Sequence, residues 1–212
     1  MKIALIGSTG QIGREITRQL LAYPYAVTAL LRPQRELPSE LAAAHARTVN
    51  LRDSAELVCG LHGHDVLISA YAPPPDDPAA LPLMTENLVK AARQAGIRRV
   101  LVVGGAGSLY VAPGLQLLDS PLFPAAYKAI AEAHRDALGV LKAADDLDWT
   151  FFAPAALIEP GARRGGYRVG RDHLIADTEG QSRISYGDYA EAFVHEVAQG
   201  KHARAVATVA YV

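Results

Sequence analysis

Ile3-Ala4-Leu5-Ile6-Gly7-Ser8-Thr9-Gly10-Gln11-Ile12-Gly13 opens the chain, and an amphipathic segment carries it on to about Ala22. A second apolar run, Val27 to Leu31, then ends at Arg32. An apolar run, a glycine break, an amphipathic stretch and a further apolar run predict a strand, a turn, a helix and a strand. With glycines so spaced at its turn, this is the βαβ unit that binds a dinucleotide. Gly7 can take the positive φ of a tight turn, and Gly10 lets backbone approach a pyrophosphate with no Cβ in the way. Gly13 lets the helix pack close to the strand, and the free N–H groups at its start face the phosphates. Ser8, Thr9, Gln11 and Ile12 complete the expected phosphate loop.

The tip of the second strand selects the coenzyme. Sites selective for NAD carry an acid there, about 20 residues past the glycines, to bond the ribose 2′-hydroxyl. This chain has Arg32, with Arg35 close behind and no acid before Glu36. A guanidinium pairs with a 2′-phosphate through charge-assisted bonds, so NADP(H) is expected over NAD(H). The competing reading is a solvated loop arginine, and comparing the affinities of the two coenzymes separates the two.

The 212 residues suit one α/β domain, with 155–186 contributing a small substrate-side portion. Half the residues are apolar, enough for a sizeable core, and the net charge of −1 gives no field favouring nucleic acid or an anionic membrane. The single cysteine, Cys59, excludes an intramolecular disulfide and fits a reducing compartment. Met1-Lys2 runs straight into the first strand, and no apolar run approaches the roughly 20 residues of a membrane span. The expected location is cytoplasmic. The expected partner is a small-molecule substrate, with no nucleic acid and no membrane; a homo-oligomer is compatible with this reading.

Further along, strands and helices alternate, which predicts a parallel sheet covered on both faces. A short helix is expected near Ser39–Ala44, a third strand at Ala46–Asn50, a helix from Asp53 to about Leu61 and a fourth strand at Asp65–Ser69. Leu81 to Ala95 has a helical apolar period closed by Gly96, and Val100–Val103 reads as a buried fifth strand. Pro124, as a first-turn proline, is expected to start a helix running to about Ala144, and Trp149–Ala153 is a sixth strand. Tyr167–Gly170 and Leu174–Ala176 could pair as short strands. Ser185-Tyr186-Gly187-Asp188 resembles a capping box before a helix ending at Gly200, and Ala205–Val209 is the last strand.

Ligands of such sheets bind beyond the carboxyl ends of the strands, where the strand order reverses. That edge gathers the glycine turn, Arg32, Asn50-Leu51, Ser69-Ala70-Tyr71, the segment from Gly104 to Tyr110, and Phe152–Ala155. His62 and His64 fall on the opposite edge without a third ligand, and His45, His134, His195 and His202 form no cluster, so no metal site is expected.

These residues together resemble the short-chain dehydrogenase/reductase superfamily, closest to its atypical epimerase/dehydratase-like branch, which includes the biliverdin-IXβ/flavin reductases. The likeness rests on Gly7–Gly13, Arg32, Ser69-Ala70, Val102 to Ser108, Asp148 to Pro154, and Ile184 to Ala190. It implies that Ser69-Ala70-Tyr71 line the nicotinamide ribose, that Asn50-Leu51 line adenine, and that Pro154 with Ala155 backs the nicotinamide beside Gly104. Asn50 departs from the aspartate frequent there; an amide can still bond an adenine amino group.

The chemistry departs further. Standard members carry Tyr-x-x-x-Lys, whose lysine lowers the tyrosine pKa for proton exchange with a carbonyl or alcohol. Four positions beyond the tyrosines stand Val27, Ala29, Pro75, Gly114, Ala131, Arg171, Ala190 and Phe193, and no such pair exists. Tyr127-Lys128 lies near the right place, but adjacent helical residues diverge. Tyr127, Lys128 and Ser108 are the candidates for proton chemistry. Hydride transfer to an electron-poor ring mainly needs stacking geometry, which favours flavin- or quinone-like acceptors. The loop from Gly104 to Phe123 is a candidate lid, and the arginines at 163, 164, 168 and 171 could present charge to an acidic substrate. The expectation is an NADP(H)-dependent oxidoreductase. The alternatives are a non-catalytic NADP(H) sensor of the nitrogen-metabolite-repressor type and, third, a sugar-nucleotide epimerase.

Overall fold

The computed structural model describes residues 1–121 and 123–212; position 122, inside the loop expected to serve as a lid, lies outside the described residues. One sheet of eight strands carries the molecule: β1 Lys2–Ile6, β2 Ala26–Leu31, β3 His45–Thr48, β4 Val66–Ser69, β5 Arg99–Val103, β6 Asp148–Ala153, β7 Tyr167–Gly170 and β8 Ala205–Tyr211. Their order is β7-β8-β6-β5-β4-β1-β2-β3, and every neighbouring pair is parallel except β7 with β8. The order reverses between β1 and β4, where Ile6 stands beside Ser69. That is the crevice of a doubly wound α/β fold.

Helices cover both faces. α2 (Ser54–Leu61), α3 (Ala80–Ala95) and α4 (Lys128–Lys142) pack side by side on one face, and α1 (Gln11–Leu21) lies against α5 (Tyr186–Gln199) on the other. The central strands are buried on both sides, so they read as unbroken apolar runs rather than alternations. In β6, Phe151 enters the core beneath α3 and α4, while Phe152 points the opposite way, onto Tyr189 and Phe193 of α5 at ring separations of 5.5 and 5.4 Å. Asp53 caps α2 by accepting from Ala55 and Glu56 N–H, and Gly96 ends α3 at φ +76°, which Cβ-bearing residues resist.

The structure moves several expected boundaries. Ser39–Leu41 is one 3₁₀ turn rather than a helix to Ala44, and the third strand is His45–Thr48, which leaves Asn50 in the following turn. Pro124 does not start the long helix: its ψ of 125° is extended, a 3₁₀ turn spans Ala125–Tyr127, and α4 begins at Lys128. Tyr167–Gly170 does not pair with Leu174–Ala176. It runs antiparallel to β8, from Tyr167 beside Tyr211 to Gly170 beside Thr208. β8 is longer than its apolar pattern suggested, and its exposed edge offers unpaired backbone groups that β7 covers. Asp172 and Leu174 bond instead to the backbone of Tyr110.

Segment 155–186 also holds a small parallel pairing of Leu157–Glu159 with Arg183–Ser185, laid over the carboxyl end of the sheet. Ser185 caps α5 by accepting from the N–H of Asp188 at 3.1 Å, the expected half of a capping box. Among the described residues, no helix is long and apolar enough to cross a membrane.

Candidate functional site

The turn between β1 and α1 is too tight for side chains. Gly7 has φ +88°, and a Cβ on it would stand 2.3 Å from the carbonyl oxygen of Ala70. A Cβ on Gly13 would stand 2.0 Å from the carbonyl oxygen of Gly7, so α1 can press onto the turn only with glycine there. Gly10 precedes α1 without a side-chain cap, and the first turn holds no acid. The leading N–H groups of α1 are therefore free for an anion, reinforced by the helix dipole. Ser8 is buried beside them, with its Oγ unpartnered. An unpartnered buried hydroxyl, an uncapped helix start and glycines too crowded for Cβ atoms fit a diphosphate.

Two cavities meet at this turn. The first, about 210 Å³, is lined by Gly7, Ser8, Thr9 and Gly10, by Arg32 and Arg35 at the tip of β2, and by Leu51, Ala70 and Tyr71. Neither arginine has an ion-pair partner among the described residues. Both are free to receive an anion.

The second cavity, about 920 Å³, opens on the other side of Gly10. Gly10–Gly13 and Ala70–Ala72 border it. The prolines at 73, 74, 75 and 78, the tip of β5 from Val103 to Gly107, Leu117 and Phe123 form much of its wall. α4 contributes Ile130, Ala131 and His134, with Tyr127 just before it, and Pro154, Ala156, Leu157, Ile158 and Tyr186 close the far side. No Asp, Glu, Lys or Arg lines it among the described residues. Such a lining suits a flat apolar molecule and penalises a charged one.

Most of the residues expected at the site converge on this groove. Gly7 through Gly13, Arg32, Leu51, Ala70, Tyr71, Gly104, Tyr127 and Pro154 line one or both cavities. Asn50 lies beside the groove without lining it: its Oδ1 accepts from Arg52 N–H, and its own N–H donates to Glu56. Ser69 is buried, with its Oγ accepting from Tyr71 N–H at 3.4 Å, so it shapes the turn. Ala155 is core, and its neighbour Ala156 takes the wall position. Ser108 borders a third cavity, with Lys142, Arg171 and Arg204, away from the groove. Lys128 is exposed and lines none of these cavities, and Tyr127 is 63% exposed at the rim.

Two of the four arginines expected to greet an acidic substrate are engaged elsewhere. Arg163 pairs with Glu191, and the guanidinium of Arg164 sits 3.7 Å over the ring of Tyr211. Neither these two nor Arg168 or Arg171 lines the large cavity.

One residue the sequence reading set aside does line it. His134 sits two turns into α4, half-buried, meeting Phe151 edge-on at a ring separation of 6.3 Å. Burial lowers its pKa to about 4, so the imidazole is uncharged at neutral pH. The spacing groups it on one face without showing what that face meets. Tyr127, Ile130, Ala131 and His134 stand at i, i+3, i+4 and i+7, one face of a helix. At the opposite wall the Tyr186 hydroxyl donates to Gln11 Oε1 at 2.9 Å, joining the starts of α5 and α1.

Known proteins share this architecture. The sequence profile of a family described as NAD(P)H-binding matches residues 7–199. YwnB of Bacillus subtilis (strain 168), a protein of uncharacterized function, is 34% identical over 206 residues, covering 95% of this chain and 94% of its own length. The crystal structure of a candidate exported protein from Burkholderia pseudomallei superposes with a TM-score of 0.90 at 48% identity, with full coverage of both chains. That of a candidate NADH-flavin reductase from Streptococcus pneumoniae TIGR4 gives 0.89 at 31% identity, again over the whole of both chains.

Proposed function

The chain belongs to the NAD(P)H-binding family, and from that premise we propose that it is an NADP(H)-dependent reductase acting on an uncharged, flat, conjugated acceptor. The observation that carries the proposal is the cavity of about 920 Å³ directly beside the phosphate turn, lined by no Asp, Glu, Lys or Arg among the described residues. When bound, the coenzyme supplies the hydride. The chain's own residues do the rest: Gly7–Gly13 hold the diphosphate, and Arg32 with Arg35 receives the 2′-phosphate. Pro154 and Gly104 frame the nicotinamide end, and segment 155–186 walls the acceptor. The Streptococcus relative's description supports a ring acceptor of the flavin kind.

Stacking an electron-poor ring in an apolar slot supplies orientation and excludes water, which matters most for hydride transfer. Screening NADPH oxidation against flavins, quinones and aldehydes tests the proposal. Turnover with rings and none with simple aldehydes is expected; turnover confined to aldehydes would sink it. A second reading, a non-catalytic NADP(H) sensor, is favoured by the missing Tyr-x-x-x-Lys pair and by the exposure of Tyr127. Tight NADPH binding with no turnover on any acceptor selects it. A cytoplasmic location belongs to the same proposal, supported by the lone Cys59. Export, as the Burkholderia relative's description has it, is its rival, and cell fractionation decides between them.

A further inference from the structure

Resting on the reductase reading, we infer that His134 grips the acceptor. Its Nε2–H donates to a carbonyl oxygen of the ring, and the site thereby selects carbonyl-bearing rings over plain hydrocarbons. The imidazole lines the large cavity from α4, and packing fixes its plane. Phe151 meets it at an interplanar angle of 76°. Gly105 lies against it: a Cβ at that position would stand 2.9 Å from both Cδ2 and Cγ of the imidazole, so the bare glycine makes room for the ring.

The two ring nitrogens differ. Nδ1 is sealed without a hydrogen-bond partner, whereas Nε2 is not sealed in this way. A sealed N–H lacking an acceptor is rarer and costlier than a sealed bare nitrogen, which places the proton on Nε2. Because burial keeps the ring uncharged at neutral pH, the donor brings no charge into an apolar cavity. A neutral imidazole can polarise a carbonyl in such a setting while keeping its own proton. The proton that completes the reduction comes from water. Elsewhere around the cavity, the Tyr186 hydroxyl proton is given to Gln11 Oε1, and Tyr127 is largely in solvent.

Duroquinone and durene test this directly, being the same tetramethylated ring with and without carbonyls. Duroquinone has no unsubstituted ring carbon for the exposed Cys59 thiol to attack. Each is titrated calorimetrically into the full chain saturated with NADP⁺, which permits no turnover. The wild type is expected to bind duroquinone about tenfold or more tightly than durene, the worth of one buried hydrogen bond. His134→Phe loses that preference, and His134→Gln, which keeps an N–H donor, restores most of it. His134→Leu stands in should the larger phenylalanine not fold. NADP⁺ affinity stays at the wild-type value in all three. Should His134→Phe or His134→Leu keep the wild-type preference with NADP⁺ bound normally, the inference is overturned and the reductase reading stands. A wild type that binds NADP⁺ but does not distinguish the two rings also overturns it. A wild type that binds neither NADP⁺ nor ring removes the reading beneath it as well.

Discussion

On the proposed reading, Arg32 divides two coenzymes that differ by one phosphate. Without an ion-pair partner among the described residues and placed at the lip of the β2-tip cavity, it can give a charge-assisted bond worth roughly 1.5–3 kcal/mol to a 2′-phosphate. Arg32→Ala is therefore expected to weaken NADPH binding by about ten- to a hundredfold and to leave NADH nearly unchanged, as titration of each will show. Equal losses for both would mean the arginine does not select. Gly13 is constrained differently, since an added methyl meets the backbone oxygen of Gly7 at 2.0 Å. Gly13→Ala must push α1 off the turn. It is expected to destabilise the fold by roughly 1–3 kcal/mol and to abolish coenzyme binding, read by thermal melting and titration. These residues were legible from their spacing because a phosphate turn is local. His134 was not singled out: a histidine on an amphipathic helix gives no sign by itself of whether its face meets core, water or cavity. Only the place of α4 beside β5 and β6 settles that.

At the scale of elements, two buried carboxylates of α5 tie that helix to the sheet: Glu196 to its centre and Asp188 to β8. Glu196 of α5 takes Arg99 of β5 at 2.8 Å and also accepts from His202 N–H, while Arg99 donates to Asp148 O and Thr150 Oγ1 of β6. Burial pulls the Arg99 pKa down against the opposing pull of Glu196, but a guanidinium stays charged. Arg99→Ala leaves Glu196 buried without its cation, an expected cost of about 3–5 kcal/mol in denaturant unfolding. A loss under about 1 kcal/mol would mean that water or His202 replaces the arginine.

Asp188 anchors the turn before β7, accepting from the backbone N–H groups of Arg164 and Gly165, from Tyr211 hydroxyl and from Ser185 Oγ. Burial pushes its pKa up, but the hydrogen bonds outweigh it and the carboxyl ends below its ordinary value. A carboxylate depressed in the folded state stabilises fully above its unfolded pKa, and that stability is lost as pH falls through the folded one. Asp188→Asn is thus expected to melt lower at pH 7 and to lose less stability than the wild type on acidification below pH ~4. Parallel pH–melting curves for the two proteins would contradict this. The long-range ties were not visible beforehand, because their partners lie far apart in sequence and no local pattern names them. The capping half of the motif at Ser185 was visible, because it spans only the four residues from Ser185 to Asp188.

The whole molecule is a doubly wound sheet whose crevice holds a polar, arginine-lipped pocket on one side of Gly10 and a broad apolar one on the other. The alternation of apolar runs and amphipathic stretches carried the fold class. The prolines and aliphatic residues walling the apolar pocket come from six separate stretches of chain, so its size could not be read in advance. Among the described residues, no cluster of His, Cys, Asp and Glu could hold a metal ion. A chelator is accordingly expected to leave both melting temperature and turnover unchanged.

The central claim, a dinucleotide seated at the start of α1 with its phosphorylated form preferred, is tested most directly by melting the protein against increasing NADPH and NADH. At NADPH one hundred times its dissociation constant, linkage stabilises the fold by about 2.7 kcal/mol, a rise of roughly 5–10 °C for a chain of this size. NADH should need a higher concentration for the same rise. A melting temperature that neither coenzyme moves, up to millimolar concentration, contradicts the account.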